Sequence, residues 1–257
     1  MTSRRRRLVL APAIIALLAV TAACSGSDDG GSEGTEGPRR STTTVVPSST
    51  TTEAPLSGAP LVVAQQGVST FPDPFDQTAT LGGYGVVLQN PNPDVMATGV
   101  HVRTRLLDAA GNELLVDNAL LNAVMPGQHM AVGRTLIEPI AGPTALDVQV
   151  EVTAWVRPAH DEGGLVAEGV LTEPEGAGGS VTRFSVRSTW PALEEVVDVT
   201  AVYRAADGRI LGAESTTIPQ IAPDTSVEVS IRLLSPIPDL ASTEVFVGRG
   251  IGAQTVG

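Results

Sequence analysis

The chain has 257 residues, 42% hydrophobic and 3% aromatic, which allows one large packed domain or two small ones. Its 16 basic residues, every one Arg, stand against 28 acidic ones, and a net charge of −12 excludes a nucleic-acid binder driven by phosphate contacts. A single Cys excludes a disulfide-stapled scaffold.

The first element is an export signal. Arg4 to Arg7 form a positive stretch, and Leu8 to Ala23 are almost all apolar. That run is shorter than the roughly 20 residues a membrane span needs, so residues 1–23 are expected to be a secretory signal peptide. Cys24 follows Val20-Thr21-Ala22-Ala23 directly. This order resembles a bacterial lipobox, with Thr21 where Leu is usual. The resemblance implies cleavage before Cys24, lipidation of its sulfur, and retention on the outer face of a membrane. The alternative is a plain signal peptide that leaves Cys24 a free thiol, a liability in an exported protein. The residues after the arginines match a twin-arginine signal poorly, so Sec export is expected. Removing residues 1–23 takes away four arginines and no acid, which moves the formal charge from −12 to −16. Such a body is repelled by anionic headgroups, so acyl chains must provide the anchor.

Residues 24–60 are rich in Gly, Ser, Thr, Pro and acid, with no helical or strand period. They are expected to form a disordered tether. About 35 flexible residues span roughly 33 Å. The Ser/Thr/Pro content also permits O-glycosylation.

From Leu61 onward, short runs alternate apolar and polar residues between Gly, Pro, Asn and Asp. Val100, Val102, Thr104 and Leu106 fall on one face of a strand, and His101, Arg103 and Arg105 on the other. The same strand returns 97 residues later as Val197, Val199, Ala201 and Tyr203. The offset holds from Gly111 to Gly208, Pro126 to Pro223, Met130 to Val227 and Val148 to Val245. Upstream it is 98, taking Val86 to Phe184 and Pro93 to Pro191. A one-residue slip would turn every side chain to the wrong face, so the register points to a duplicated fold. The expectation is all-β: two tandem immunoglobulin-like β-sandwich domains, residues 61–157 and 164–257, with 157–164 an exposed hinge.

Three local patterns carry a family resemblance. One strand ends in Asn90-Pro-Asn-Pro. Another ends in Leu106-Leu-Asp108 before the Gly111 turn. Met125-Pro-Gly-Gln128 precedes the next strand. Together they resemble the FxLYD domain, a small immunoglobulin-like sandwich of bacterial surface lipoproteins. Thr104 and Leu107 stand where that motif has Phe and Tyr. The resemblance implies a fold; the motif is structural and transfers no catalytic residue.

Chemistry-bearing residues are few. There is no Gly-x-Ser-x-Gly, His-Glu-x-x-His or Walker loop, and the expectation is a non-enzyme without cofactor or metal. The sharper alternative is a small-ligand or copper-binding lipoprotein, because Met96, His101, Met125, His129 and Met130 are ligands Cu(I) accepts. His160, Asp161 and Glu162 in the hinge, and Asp73 with Asp76, are weaker cation candidates. Phe71, Phe75 and Trp190 sit at loops or strand ends and either cap the sandwiches or anchor a partner. The loops 90–97 and 188–195 would occupy equivalent ends of the two domains, which makes Trp190 the candidate contact. The expected partners are the membrane, through lipid on Cys24, and an envelope protein or cell-wall component. The expected role is an interaction or spacer module.

Overall fold

A computed structural model describes residues 55–158, 163–175 and 179–250, apart from 74 and 77. The signal peptide, Cys24, most of the tether and His160, Asp161 and Glu162 lie outside the described residues. Among the described residues every regular element is a strand, and no helix is long and apolar enough to cross a membrane.

Twelve strands follow one another: β1 (Val62–Pro72), β2 (Thr80–Gln89), β3 (Met96–Leu107), β4 (Glu113–Val124), β5 (His129–Thr135) and β6 (Ala145–Val156), then β7 (Leu165–Glu175), β8 (Gly179–Ser188), β9 (Val197–Arg204), β10 (Ile210–Ile218), β11 (Ser226–Leu233) and β12 (Ser242–Arg249). They form four three-stranded antiparallel sheets, ordered β1-β2-β5, β4-β3-β6, β11-β8-β7 and β10-β9-β12. The first six strands and the last six are therefore ordered alike, strand for strand.

Each half closes two sheets over one core. In the first, Val86 and Leu88 of β2, Val100 and Val102 of β3, Leu121 of β4 and Met130 of β5 pack together. In the second, Phe184 and Val186 of β8 meet Val197, Val199, Ala201 and Tyr203 of β9. All of these sit one residue in two along their strands, so each strand turns one set of side chains to this core.

A third cluster joins the halves. Val87 and Ala131, on the far face of β1-β2-β5, pack against Val202, Ile210, Ala213 and Phe246, on the far face of β10-β9-β12. The sheets thus stack in the order β4-β3-β6, β1-β2-β5, β10-β9-β12, β11-β8-β7. The two inner sheets are covered on both faces. This is why Leu81 through Leu88 are buried without interruption, where a half-exposed strand would alternate. Backbones approach closely here. A Cβ at Gly83 would lie 2.5 Å from the Leu211 carbonyl oxygen, a separation no real side chain tolerates. Four polar bridges cross the junction. Ser69 Oγ donates to the Leu211 carbonyl. Thr135 N donates to Glu214 at 3.1 Å. Asn122 Nδ2 donates to Asp198 at 2.9 Å. Gln128 Nε2 donates to the Val247 carbonyl at 2.8 Å.

The last stretch of the expected tether is held against the body. The Ala59 N–H donates to Asn92 Oδ1 at 2.7 Å, and Asn92 Nδ2 donates back to the Ala59 carbonyl at 2.9 Å.

Candidate functional site: a cleft where the two halves meet

The loop between β2 and β3 is shaped by Asn90, which is fully buried. Its amide donates to the carbonyls of Val95 at 2.9 Å and Val124 at 3.0 Å, and its oxygen accepts from Asn92 N at 3.0 Å. These bonds satisfy a short non-helical loop from within. The loop delivers Pro93 and Asp94 to the edge of a cleft of about 660 Å³. The β4–β5 turn adds Met125, Pro126 and Gln128. Gln128 pins this turn by accepting from Met125 N at 2.9 Å.

The second half supplies the opposite wall. Arg157, Pro158, Gly163 and Gly164 line it from the connection between the halves, Leu165 from β7, Trp190 from the β8–β9 loop and Arg249 from the end of β12. The connection is fastened to the Trp190 loop. Thr189 N donates to the Gly164 carbonyl at 2.9 Å, and Gly164 N donates to Thr189 Oγ1 at 2.9 Å. Gly163 takes a φ of +110°, and a Cβ there would lie 2.6 Å from the Thr189 carbonyl oxygen. Only glycine satisfies both demands.

Trp190 is 4% exposed, with the Arg249 guanidinium 4.8 Å from its ring centroid, a cation–π stack. Arg249 Nε donates to Glu194 Oε2 at 2.7 Å, and Glu194 is 2% exposed. The Glu194 backbone is paired with Ile221 in both directions, at 3.0 and 2.9 Å. Two buried polar atoms in this cluster, Trp190 Nε1 and Glu194 Oε1, have no hydrogen-bond partner among the described residues. Arg157 and Asp94 make no ion pair among the described residues, with each other or with any other group.

The candidate residues scatter differently. Trp190 and Met125, and the two loops expected at equivalent sandwich ends, converge on this one cleft. Met96 and Met130 lie inside the structure. His101 is on an exposed face of β3 and His129 at the exposed start of β5, strands of different sheets. The five residues weighed as copper ligands are therefore not gathered. Asp73 and Asp76 turn their carboxylates onto their own loop, to Phe75 N at 2.8 Å and Thr78 N at 2.9 Å. Among the described residues no three of His, Cys, Asp and Glu come together as a metal site would need. Phe71 is buried at the end of β1, and Phe75 is exposed.

Arg249 and Glu194 were missing from the candidates. The repeat carries a signal for both: at the 97-residue offset they correspond to Val152 and Ala97. A charged pair stands in the second half where the first has two apolar residues.

No protein-family model matches the chain, and no curated protein is similar to it. Among solved structures it is similar to the exo-chitosanase CsxA of Amycolatopsis orientalis, at 12% identity over 64% of this chain and 24% of that one, with a TM-score of 0.25. The same enzyme as a variant bound to PNP-beta-D-glucosamine gives 11% identity over 71% of this chain and 25% of that one, at 0.23. The chain spans about a quarter of that enzyme's length.

Proposed function

We propose that this chain is an exported lipoprotein, held on the outer face of a membrane through lipid on Cys24. Its β-sandwich body, a tandem FxLYD-like pair, serves as a non-enzymatic protein-interaction or spacer module of the cell envelope. The observation that carries the reading is the order of Arg4–Arg7, a 16-residue apolar run, Ala22-Ala23-Cys24 and a Ser/Thr/Pro-rich tether. Each part has a physical role in export, cleavage, anchoring and stand-off. The docked sandwiches suit the role, because a body with fixed internal geometry transmits position and presents a preformed surface.

Two experiments test it. Cells expressing the chain are labelled with radioactive palmitate. Label on the native chain and none on Cys24→Ala, with the variant released from the membrane fraction, is the expected result; label on both sinks the anchor. Crosslinking on intact cells should then recover a stoichiometric envelope partner.

The junction cleft favours a second reading, a small-ligand-binding lipoprotein. Its volume of about 660 Å³ lies within the roughly 300–1,000 Å³ of ordinary ligand sites.

A further inference from the structure

We propose that the free edge of β6 takes up an extended segment of another envelope protein as a fourth strand of the β4-β3-β6 sheet, a segment whose alternate side chains are apolar and whose others are basic. This rests on the reading of the body as an interaction module and names the surface and the chemistry of its partner.

An edge strand leaves a row of backbone N–H and C=O groups unpaired, and proteins blunt such rows with bulges, Pro or brevity. β1, β4, β7 and β10 are each broken by a register shift. β5 has 7 residues, and β11 and β12 have 8 each. β6 uses none of the three devices. It runs 12 residues without Pro, Gly, Lys or Arg, and it pairs with β3 from Leu107 to Met96 in one register. Among the described residues no strand is hydrogen-bonded to its other side.

The core beneath this edge is only partly covered. Leu146, Val148, Val150 and Val152 pack against the first core and remain half-buried. The matching side of the second half is closed. There Thr172 of β7 and Thr243 of β12 bring their hydroxyl oxygens within 2.7 Å, and Val247, which the 97-residue offset matches to Val150, is 6% exposed. A further strand roughly 4.8 Å from β6 would cover the four half-buried side chains with its own alternate residues. Main-chain hydrogen bonds would supply the affinity.

Charge selects the occupant. The other side chains along the middle of β6 are Asp147, Gln149, Glu151 and Thr153. Asp147 accepts from Arg105 Nε at 2.7 Å. Glu151 lies across from His101 and makes no ion pair among the described residues. β6 therefore offers an incoming strand acid and no base, on a chain of net charge −12. Opposite charges across strands stabilise and like charges do the reverse, which favours a basic segment over a second copy of β6. Two copies joined edge to edge about a two-fold axis would also run antiparallel. Gly58, at the root of the tether, packs on Trp155 at one end of β6, so the two tethers would leave in opposite directions rather than toward one membrane.

The test titrates the full chain, in nonionic detergent, into a labelled nine-residue peptide that alternates valine with arginine. Two control peptides have the same composition: one groups its valines together, and one keeps the order with every backbone nitrogen methylated. Saturable binding of the alternating peptide is expected, with both controls at least about tenfold weaker, because one lacks the strand period and the other the N–H donors. About half of the β6 amides, those turned away from β3, should exchange fast in the free chain and slow on binding. Glu151→Arg changes an exposed side chain without a partner. It should leave the melting temperature in place, weaken the arginine peptide severalfold and favour a valine–glutamate one. Equal binding of the grouped peptide, protection confined to other strands, an affinity unchanged in Glu151→Arg, or no saturable binding in the millimolar range overturns the proposal. So does full protection of the β6 amides in the free chain, which would mean that a second copy or the chain's own tether already covers the edge. Crosslinked capture of an envelope protein alongside absent peptide binding removes the edge and leaves the interaction-module reading standing.

Discussion

Asn90, Asp108 and Gln128 are the three polar residues at which the family resemblance was drawn, and each has a local structural task. Asn90 closes the β2–β3 loop with four hydrogen bonds. Asp108 folds the β3–β4 turn, accepting from the N–H groups of Ala110 and Asn112 at 2.8 Å. The Asn112 amide bond comes first among the causes that hold this carboxyl below its ordinary range. In the second half the aspartate moves: Asp207, one residue before Gly208, accepts from Arg209 N at 3.0 Å. Gly111 and Gly208 both sit at φ +83°, so the turn survives while its polar staple changes position. Asn90→Ala strands two buried carbonyls and an N–H, and should cost roughly 2–4 kcal/mol by chemical denaturation. Gly163→Ala is expected to destabilise by about 1–3 kcal/mol through backbone strain and a clash with Thr189. It should also disturb the wall that carries Trp190. A melting temperature equal to wild type would show that the connection relaxes freely.

At the scale of elements, the two inner sheets differ from the outer ones in what their outward positions carry. Gly85 and Val87 of β2 are buried between the halves. Their counterparts at the 98-residue offset are Arg183 and Ser185 of β8, on an outer sheet. In the same way His101, Arg103 and Arg105 of β3 correspond to Asp198, Thr200 and Val202 of β9. Charge is lost where a partner sheet covers the strand and kept where water does. Two acids remain at the junction, Asp198 and Glu214. Burial, opposed by hydrogen bonds from Asn122 and Thr135 respectively, pushes both carboxyls above their usual range. The fold therefore favours their neutral forms. Their cost is absent below the ordinary carboxylate pKa and fully present once pH exceeds the raised values. Asp198→Asn should accordingly stabilise the chain modestly at neutral pH, by less than full burial would give because the group is partly exposed. The gain should vanish as pH falls through the carboxylate range. Melting curves of both proteins from pH 4 to pH 8 check this, and a pH-independent difference contradicts it.

Across the whole molecule, the halves dock unlike faces. The β1-β2-β5 sheet meets β10-β9-β12, whose counterpart in the first half is β4-β3-β6. Such head-to-tail contact does not close on itself. A third unit could in principle add to either free face. Both free faces carry ion pairs at the equivalent positions, Arg105 with Asp147 on one and Arg183 with Glu173 and Arg187 with Glu168 on the other, and covering them would take those charges out of water. The double substitution Thr200→Arg with Val202→Arg restores on β9 the residues β3 carries. It should separate the halves without unfolding either core. An increased radius of gyration in solution scattering, with faster amide exchange along β2, is the expected outcome. Unchanged scattering would show that the Gly-floored junction tolerates charge.

The sequence alone reached the strands, their facing and the 97-residue register. Period-two patterning needs only local alternation, and a repeat confirms itself position by position. It also singled out Trp190 and the two loops, because unusual residues at strand ends are visible in one dimension. The docking of the halves was encoded too, in the outward residues that differ between repeats, but alternation within one strand does not show which face a second sheet covers. Tertiary structure decided that face, and with it the burial of β2 on both sides. It likewise decided that Arg157, Arg249, Asp94 and Trp190 share one cleft. They come from four separate segments, and the packing of one half against the other brings Asp94 to the wall that carries Trp190 and Arg249.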